Sequence, residues 1–225
     1  MTIAAARRTV KARWLGRISY AEGLRLQQEA ANAVSEGADE SLLLLEHAPV
    51  FTLGRNATAA DVLMSPQRRR ELGIELFETD RGGKVTYHGP GQLVGYPILN
   101  LDPDRRDVKA YVRDLEEALI STLGGFGIAS ARSPRPDRVT SVWVGNDKIA
   151  AIGVHISRWI TTHGFALNVT SEPLAGFSGI VPCGIVDGGV TSMETLLGEA
   201  PSLERVASAF QGRFSEIFAR EIIGP

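Results

Sequence analysis

Two rhythms of apolar residues divide the chain. Behind Ser19, which can cap a first turn, Tyr20, Leu24, Leu26, Ala30 and Val34 recur at helical spacing, and Gly37 predicts the stop. Leu42–Leu45 is a continuous apolar run too short for a helix and predicts a buried strand, with Val50–Leu53 as a second extended piece. Val85–Leu101 is extended and interrupted by glycines. Helical spacing returns over Asp107–Leu123 through Val108, Tyr111, Val112, Leu115 and Leu119, stopping at Gly124-Gly125. Next comes a predicted meander: a strand over Val139–Val144, a turn at Gly145-Asn146-Asp147, a strand over Lys148–Ser157, a tight connection at Arg158-Trp159, and a strand over Ile160–Val169. A glycine-rich loop spans Ser171–Gly189, and helices are predicted near Ser192–Leu197 and Ser202–Ile222. Helices and strands mix without regular alternation, so the expected class is α+β with a mainly antiparallel or mixed sheet flanked by helices.

Composition narrows the class. The chain has 225 residues, 44% hydrophobic and 22% charged, with a formal net charge of −2. That length carries one large core. Residues 1–11, basic and without acids, read as a flexible N-terminal leader, and 12–225 as one domain. The charge points to no nucleic-acid partner, and Arg68-Arg69-Arg70 reads as a solvated helix end. One cysteine forms no intrachain disulfide, and no apolar stretch reaches membrane-spanning length, so a cytoplasmic protein is expected. A monomer is the default.

Candidate chemistry begins at that cysteine, Cys183, in Val181-Pro182-Cys183-Gly184-Ile185. An isolated cysteine is most often buried and inert. A reactive one sits where substrate can approach and where a cation favours the thiolate, since an ordinary thiol titrates near about 8.5. Lys148 is a candidate cation. The chain has only four lysines, at 11, 84, 109 and 148, and Lys148 leads the apolar strand Ile149-Ala150-Ala151-Ile152-Gly153. A turn lysine is usually solvated; one beside an apolar wall can also shed its proton and act as a base. Arg81-Gly82-Gly83-Lys84-Val85-Thr86-Tyr87-His88-Gly89-Pro90-Gly91-Gln92 has the glycine content of a binding loop. It lacks the Gly-Lys-Ser/Thr ending of a phosphate-cradling loop. His47, His155, His163, Asp187 and Glu194 receive no role. No residues have zinc-ligand spacing, so no metal is expected.

Taken in order, these segments resemble the octanoyltransferase, or lipoyl(octanoyl) transferase, family. Arg81–Tyr96 is similar to its long signature. Leu15-Gly16 and Tyr20 through Leu26-Gln27 resemble its opening, and Glu46–Arg55 a second motif. Val142–Gly145, Lys148–Gly153 and His163–Asn168 resemble a third block. Pro182–Ile185 with Thr191-Ser192 resembles the catalytic loop. Thr140-Ser141 depart from the pattern, and Arg132–Arg138 has no recognisable motif.

The resemblance implies a biotin/lipoate protein ligase type of catalytic fold. It implies an enzyme that moves octanoyl from octanoyl-acyl carrier protein to the target lysine of apo lipoyl domains, those of 2-oxoacid dehydrogenase complexes and of the glycine cleavage H protein. It implies Cys183 as the acyl-thioester nucleophile, Lys148 as the residue that lowers its pKa, and no cofactor. It places the acyl pocket on Arg81, Gly82, Gly83, Lys84, Val85, Thr86, Tyr87 and His88, on Ala151, Ile152 and Gly153, and on Gly164, Phe165 and Ala166. Ala151, Ile152 and Phe165 are expected to form the acyl slot, with His88 and Thr86 positioning the thioester. An ATP-using lipoate ligase of the same fold and a non-catalytic binder of lipoyl domains are the rival readings.

Overall fold

The computed structural model describes residues 8–133, 140–181 and 189–224. Cys183 and its loop lie outside the described residues, as do residues 134–139. In chain order the elements are β1 (Arg8–Ile18), α1 (Tyr20–Ser35), β2 (Glu40–His47), β3 (Val50–Leu53), α2 (Pro66–Glu71), β4 (Glu75–Glu78), β5 (Val85–His88) and β6 (Gln92–Ile98). There follow α3 (Val108–Gly125), β7 (Ala131–Arg132), β8 (Ser141–Val144), β9 (Asp147–Ser157), β10 (Ile160–Asn168), α4 (Met193–Leu197), α5 (Leu203–Phe218) and β11 (Arg220–Ile223). Short 3-10 turns cover Ala59–Asp61 and Glu172–Gly179.

Eight strands form one mixed sheet in the order β11-β1-β2-β6-β10-β9-β8-β7, parallel at β11-β1-β2 and antiparallel beyond. β4-β3-β5 form a second, smaller sheet. The run Leu42–Leu45 is apolar throughout because β2 is covered on both faces. Leu42 and Leu44 join the core under α3 and α5, whereas Leu43 and Leu45 pack toward α1. The caps follow the sequence: Ser19 Oγ accepts from the Glu22 N–H at 3.2 Å, and Asp107 Oδ1 from the Ala110 N–H at 3.0 Å. Arg158 and Trp159 both take left-handed backbone (φ 49° and 66°), as a two-residue hairpin turn requires.

Three segments depart from the sequence reading. Residues 8–11, assigned there to a flexible leader, are the first residues of β1, where Val10 is fully buried. The last helix stops at Phe218. Ala219 turns left-handed (φ 51°), and Arg220–Ile223 become a strand parallel to β1. Part of the predicted glycine-rich loop is the 3-10 segment at Glu172–Gly179. The β11 edge carries a buried charge cluster. Arg220 Nε donates to Glu40 Oε2 at 2.6 Å, Arg8 reaches Glu40 Oε1 at 2.8 Å, and Asp104 bridges both arginines. No helix among the described residues is long and apolar enough to cross a membrane.

Candidate active site

A cavity of about 260 Å³ lies between the large sheet at β9 and β10, the segment 81–86 leading into β5, and Tyr20 at the start of α1. Its floor is shaped by small residues. Ala151 pairs with Ala166, and Gly153 with Gly164, so two adjacent strands present almost no side-chain bulk. A Cβ on Gly153 would stand 3.0 Å from the Gly82 carbonyl oxygen and 3.3 Å from Arg81 Cδ. Glycine there lets the Arg81–Gly83 loop close over β9. The loop is held from behind: the Arg81 guanidinium donates to Thr52 O and Thr52 Oγ1, both at 2.7 Å, and to Gly82 O at 3.0 Å. A Cβ on Gly54 would meet Gly83 O at 2.5 Å, so the position just after β3 accepts no larger residue beneath the loop.

Thirteen of the fourteen residues expected to bind substrate border this cavity. Tyr87 does not. Alternation along β5 turns its ring to the far face, edge-on to Phe51 at 5.6 Å and Phe177 at 6.0 Å. Two more need correction. Ile152 and Phe165 are register partners whose side chains point into the core under α5, where Phe165 lies 4.4 Å from the Phe210 ring centroid. The cavity floor is therefore made by Ala151, Gly153, Gly164 and Ala166, not by bulky apolar side chains. Lys148 does border the cavity and is 7% exposed. Its backbone N–H donates to Gly189 O and its carbonyl accepts from the Thr191 N–H, both at 3.0 Å. The first residues described after Cys183 are thus tied directly to Lys148. Cys183 itself lies outside the described residues.

Tyr20, Asn56, Tyr96, Thr140 and His163 also line the cavity, though no role was expected of them there. Tyr20, Tyr96 and His163 stood inside quoted motifs, so a signal existed; Asn56 had none. His163 takes left-handed backbone (φ 57°) just before the β10–β6 ladder begins, and its N–H is satisfied instead by Gln27 Oε1 at 2.7 Å. Its Nε2–H donates to Asp80 Oδ1 at 2.8 Å. His47 donates from Nδ1 to Ile18 O at 3.2 Å, so its Nε2 accepts from the Tyr96 hydroxyl at 2.7 Å.

Burial dominates the electrostatics of this cluster. Desolvation lowers His47 to about 4, opposed by its contacts to Ile18 and Ser19, and lowers His88 to about 3, aided by His47 nearby. Desolvation likewise pushes Tyr20 up to about 12. Both histidines are therefore neutral in the folded protein at neutral pH. A histidine depressed by folding binds more protons when unfolded, so its stabilisation is complete above the ordinary histidine range and is lost as pH falls toward the folded value. The melting temperature is expected to be flat above pH ~7 and to fall steadily from pH ~6.5 toward ~4. A melting temperature unchanged down to pH ~5 would show that these rings charge without unfolding.

Comparison with known proteins adds an independent line. Residues 19–215 match the family described as the lipoyl protein ligase A/B catalytic domain. The chain is 52% identical over 212 residues to an octanoyltransferase of Solibacter usitatus, covering 94% of each. It is 44% identical over 211 residues to an octanoyltransferase of Caldicellulosiruptor bescii, covering 93% of this chain and 91% of that protein. Among solved structures it superposes on a bipartite lipoate protein ligase from Thermoplasma acidophilum with a TM-score of 0.73 at 18% identity, covering 97% of this chain and 88% of the other. At that identity the likeness speaks for the fold alone.

Proposed function

The chain belongs to the lipoyl protein ligase A/B catalytic-domain family, and on that footing we propose that it carries octanoyl from acyl carrier protein to apo lipoyl domains through a thioester on Cys183. It is an octanoyltransferase acting in protein lipoylation. The observation that carries the finer reading is Lys148: a buried lysine on the wall of a cavity floored by glycine and alanine, with its backbone bonded to Gly189 and Thr191, which follow Cys183 in the chain.

The chemistry follows from what such a lysine does to a neighbouring thiol. Its ammonium favours the thiolate, and thiolate attack on the carrier thioester exchanges one thioester for another, so no ATP is required. Splitting transfer into two steps lowers each barrier. The acyl chain lies along Ala151, Gly153, Gly164 and Ala166. Each buried methylene contributes about 0.8 kcal/mol, so an eight-carbon chain is gripped without charge contacts. In the second step Lys148, having given its proton to the departing carrier thiolate, takes one from the incoming lysine, whose neutral amine attacks the Cys183 thioester. The acceptors are the lipoyl domains of 2-oxoacid dehydrogenase complexes and the glycine cleavage H protein.

The test is intact-mass spectrometry of the protein mixed with octanoyl-acyl carrier protein, beside a Cys183→Ala variant. An octanoyl adduct is expected on the parent protein alone, discharged when an apo lipoyl domain is added. Product formed by Cys183→Ala without an adduct would sink the covalent route, and product formed only with ATP would move the protein to the ligase chemistry.

A further inference from the structure

The polar side chains beneath the cavity fix which ring nitrogen of His88 carries its proton. Thr191 offers a carbonyl oxygen, which accepts, so Asn168 Nδ2 donates to it at 2.9 Å. Asn168 Oδ1 then accepts from Gln92 Nε2 at 2.8 Å. Gln92 Oε1 is left to accept from His88 Nδ1 at 2.7 Å. The relay places the proton on Nδ1 and leaves Nε2 as a bare lone pair. Nε2 has no hydrogen-bond partner among the described residues, and His88 lines the cavity. Tyr20 stacks on the ring at 6.1 Å, and His47 lies at 5.9 Å. Burial, together with His47, Arg81 and His163, keeps the ring uncharged. A bare lone pair repels a carbonyl oxygen, so Nε2 in this tautomer offers the thioester oxygen no hydrogen bond.

Proton counting gives that lone pair a task, resting on the Cys183–Lys148 reading above. In the first half-reaction the Cys183 thiolate attacks, the carrier thiolate leaves, and Lys148 protonates it and becomes neutral. The acceptor lysine arrives as an ammonium and must lose two protons to become an amide. Lys148 takes the first and regains its resting charge. The amine attacks, the N–C bond forms, the C–S bond breaks, and Cys183 departs as thiolate. One proton remains on the nitrogen, and Lys148 is full. We propose that His88 Nε2 accepts this second proton and passes it to cavity water. The transfer accompanies C–S cleavage, while the nitrogen passes from the acidity of an ammonium to that of an N-protonated amide, so a base much weaker than an amine is matched to it.

The experiment compares half-reactions in His88→Gln, which fills the space with a non-basic amide, and in the smaller His88→Asn. Loading from octanoyl-acyl carrier protein is followed by intact mass. The adduct is then discharged by an apo lipoyl domain or by hydroxylamine, which is largely uncharged at neutral pH and sheds one proton that Lys148 can take. Loading and hydroxylamine discharge are expected within about twofold of the parent protein, and discharge to the lipoyl domain slower by about 100-fold. Parent-like discharge to the lipoyl domain overturns the proposal. So does equal slowing with both nucleophiles, and so does failure of both variants to load, since His88 is given no part in loading. Absence of an adduct on the parent protein would instead sink the covalent route, and this proposal with it.

Discussion

Lys148→Met is expected to slow octanoyl transfer by between about a hundredfold and ten-thousandfold, the range for removing a positioned acid–base group. Methionine keeps an aliphatic stem in the cavity wall and removes the ammonium, so the fold is expected to be retained while the cation proposed for Cys183 is lost. The thiol should then titrate near its ordinary value of about 8.5, and the pH profile of Cys183 alkylation would move up accordingly. Lys148→Arg separates the two duties of the lysine. A guanidinium stays charged and supports the thiolate, but at neutral pH it neither gives a proton to the departing carrier thiol, which water must then supply, nor acts as a base. That variant should load octanoyl and then stall before transfer. A Lys148→Met protein that transfers at the parent rate would remove Lys148 from the mechanism.

The second large effect concerns stability. Arg220 and Glu40 are each 2% exposed and face one another at 2.6 Å. Arg220→Met leaves Glu40 buried with only the half-exposed Arg8 as counter-charge. Breaking one side of a buried pair costs about 3–5 kcal/mol, which for a chain of this size is a melting-temperature drop on the order of 10 °C. Burial already raises the Glu40 carboxyl above its ordinary range, against the pull of Arg220 and Arg8. Without Arg220 that rise grows. A carboxyl raised by folding is stabilising when protonated, so the deficit should be widest at neutral pH and narrow on acidification. Adding Glu40→Leu should recover much of the loss. A single variant as stable as its parent would mean that the cluster contributes nothing net.

Elements with strong periodicity were readable from the sequence: α1, β2, α3 and the β8–β9–β10 meander fall within a few residues of their expected bounds. What was hidden depended on distant partners. Residues 8–11 look like a leader because nothing local shows that β2 and β11 flank them. Arg220–Ile223 continues a helical pattern, and Ala219 carries no glycine-like sign of its left-handed turn. The site divides the same way. The resemblance picked out three segments that border the cavity, but it does not say which side of a strand each residue faces. Tyr87, Ile152 and Phe165 therefore sit in the right places and point away. His47, Tyr96 and His163 converge from separate strands through tertiary packing that spacing does not encode.

The pairing of Arg8 with Arg220 at one sheet edge also governs how the protein assembles. It is among the longest-range contacts the chain can make, and closing so long a loop carries an entropic cost that the rest of the fold must already have offset. During synthesis, β1 therefore stands beside β2 with its outer backbone groups unpaired until Arg220–Ile223 emerge. An open strand edge is a template for wrong partners. Chains halted before residue 220 should be far more prone to aggregate than full-length ones, even though they already contain every residue that lines the cavity.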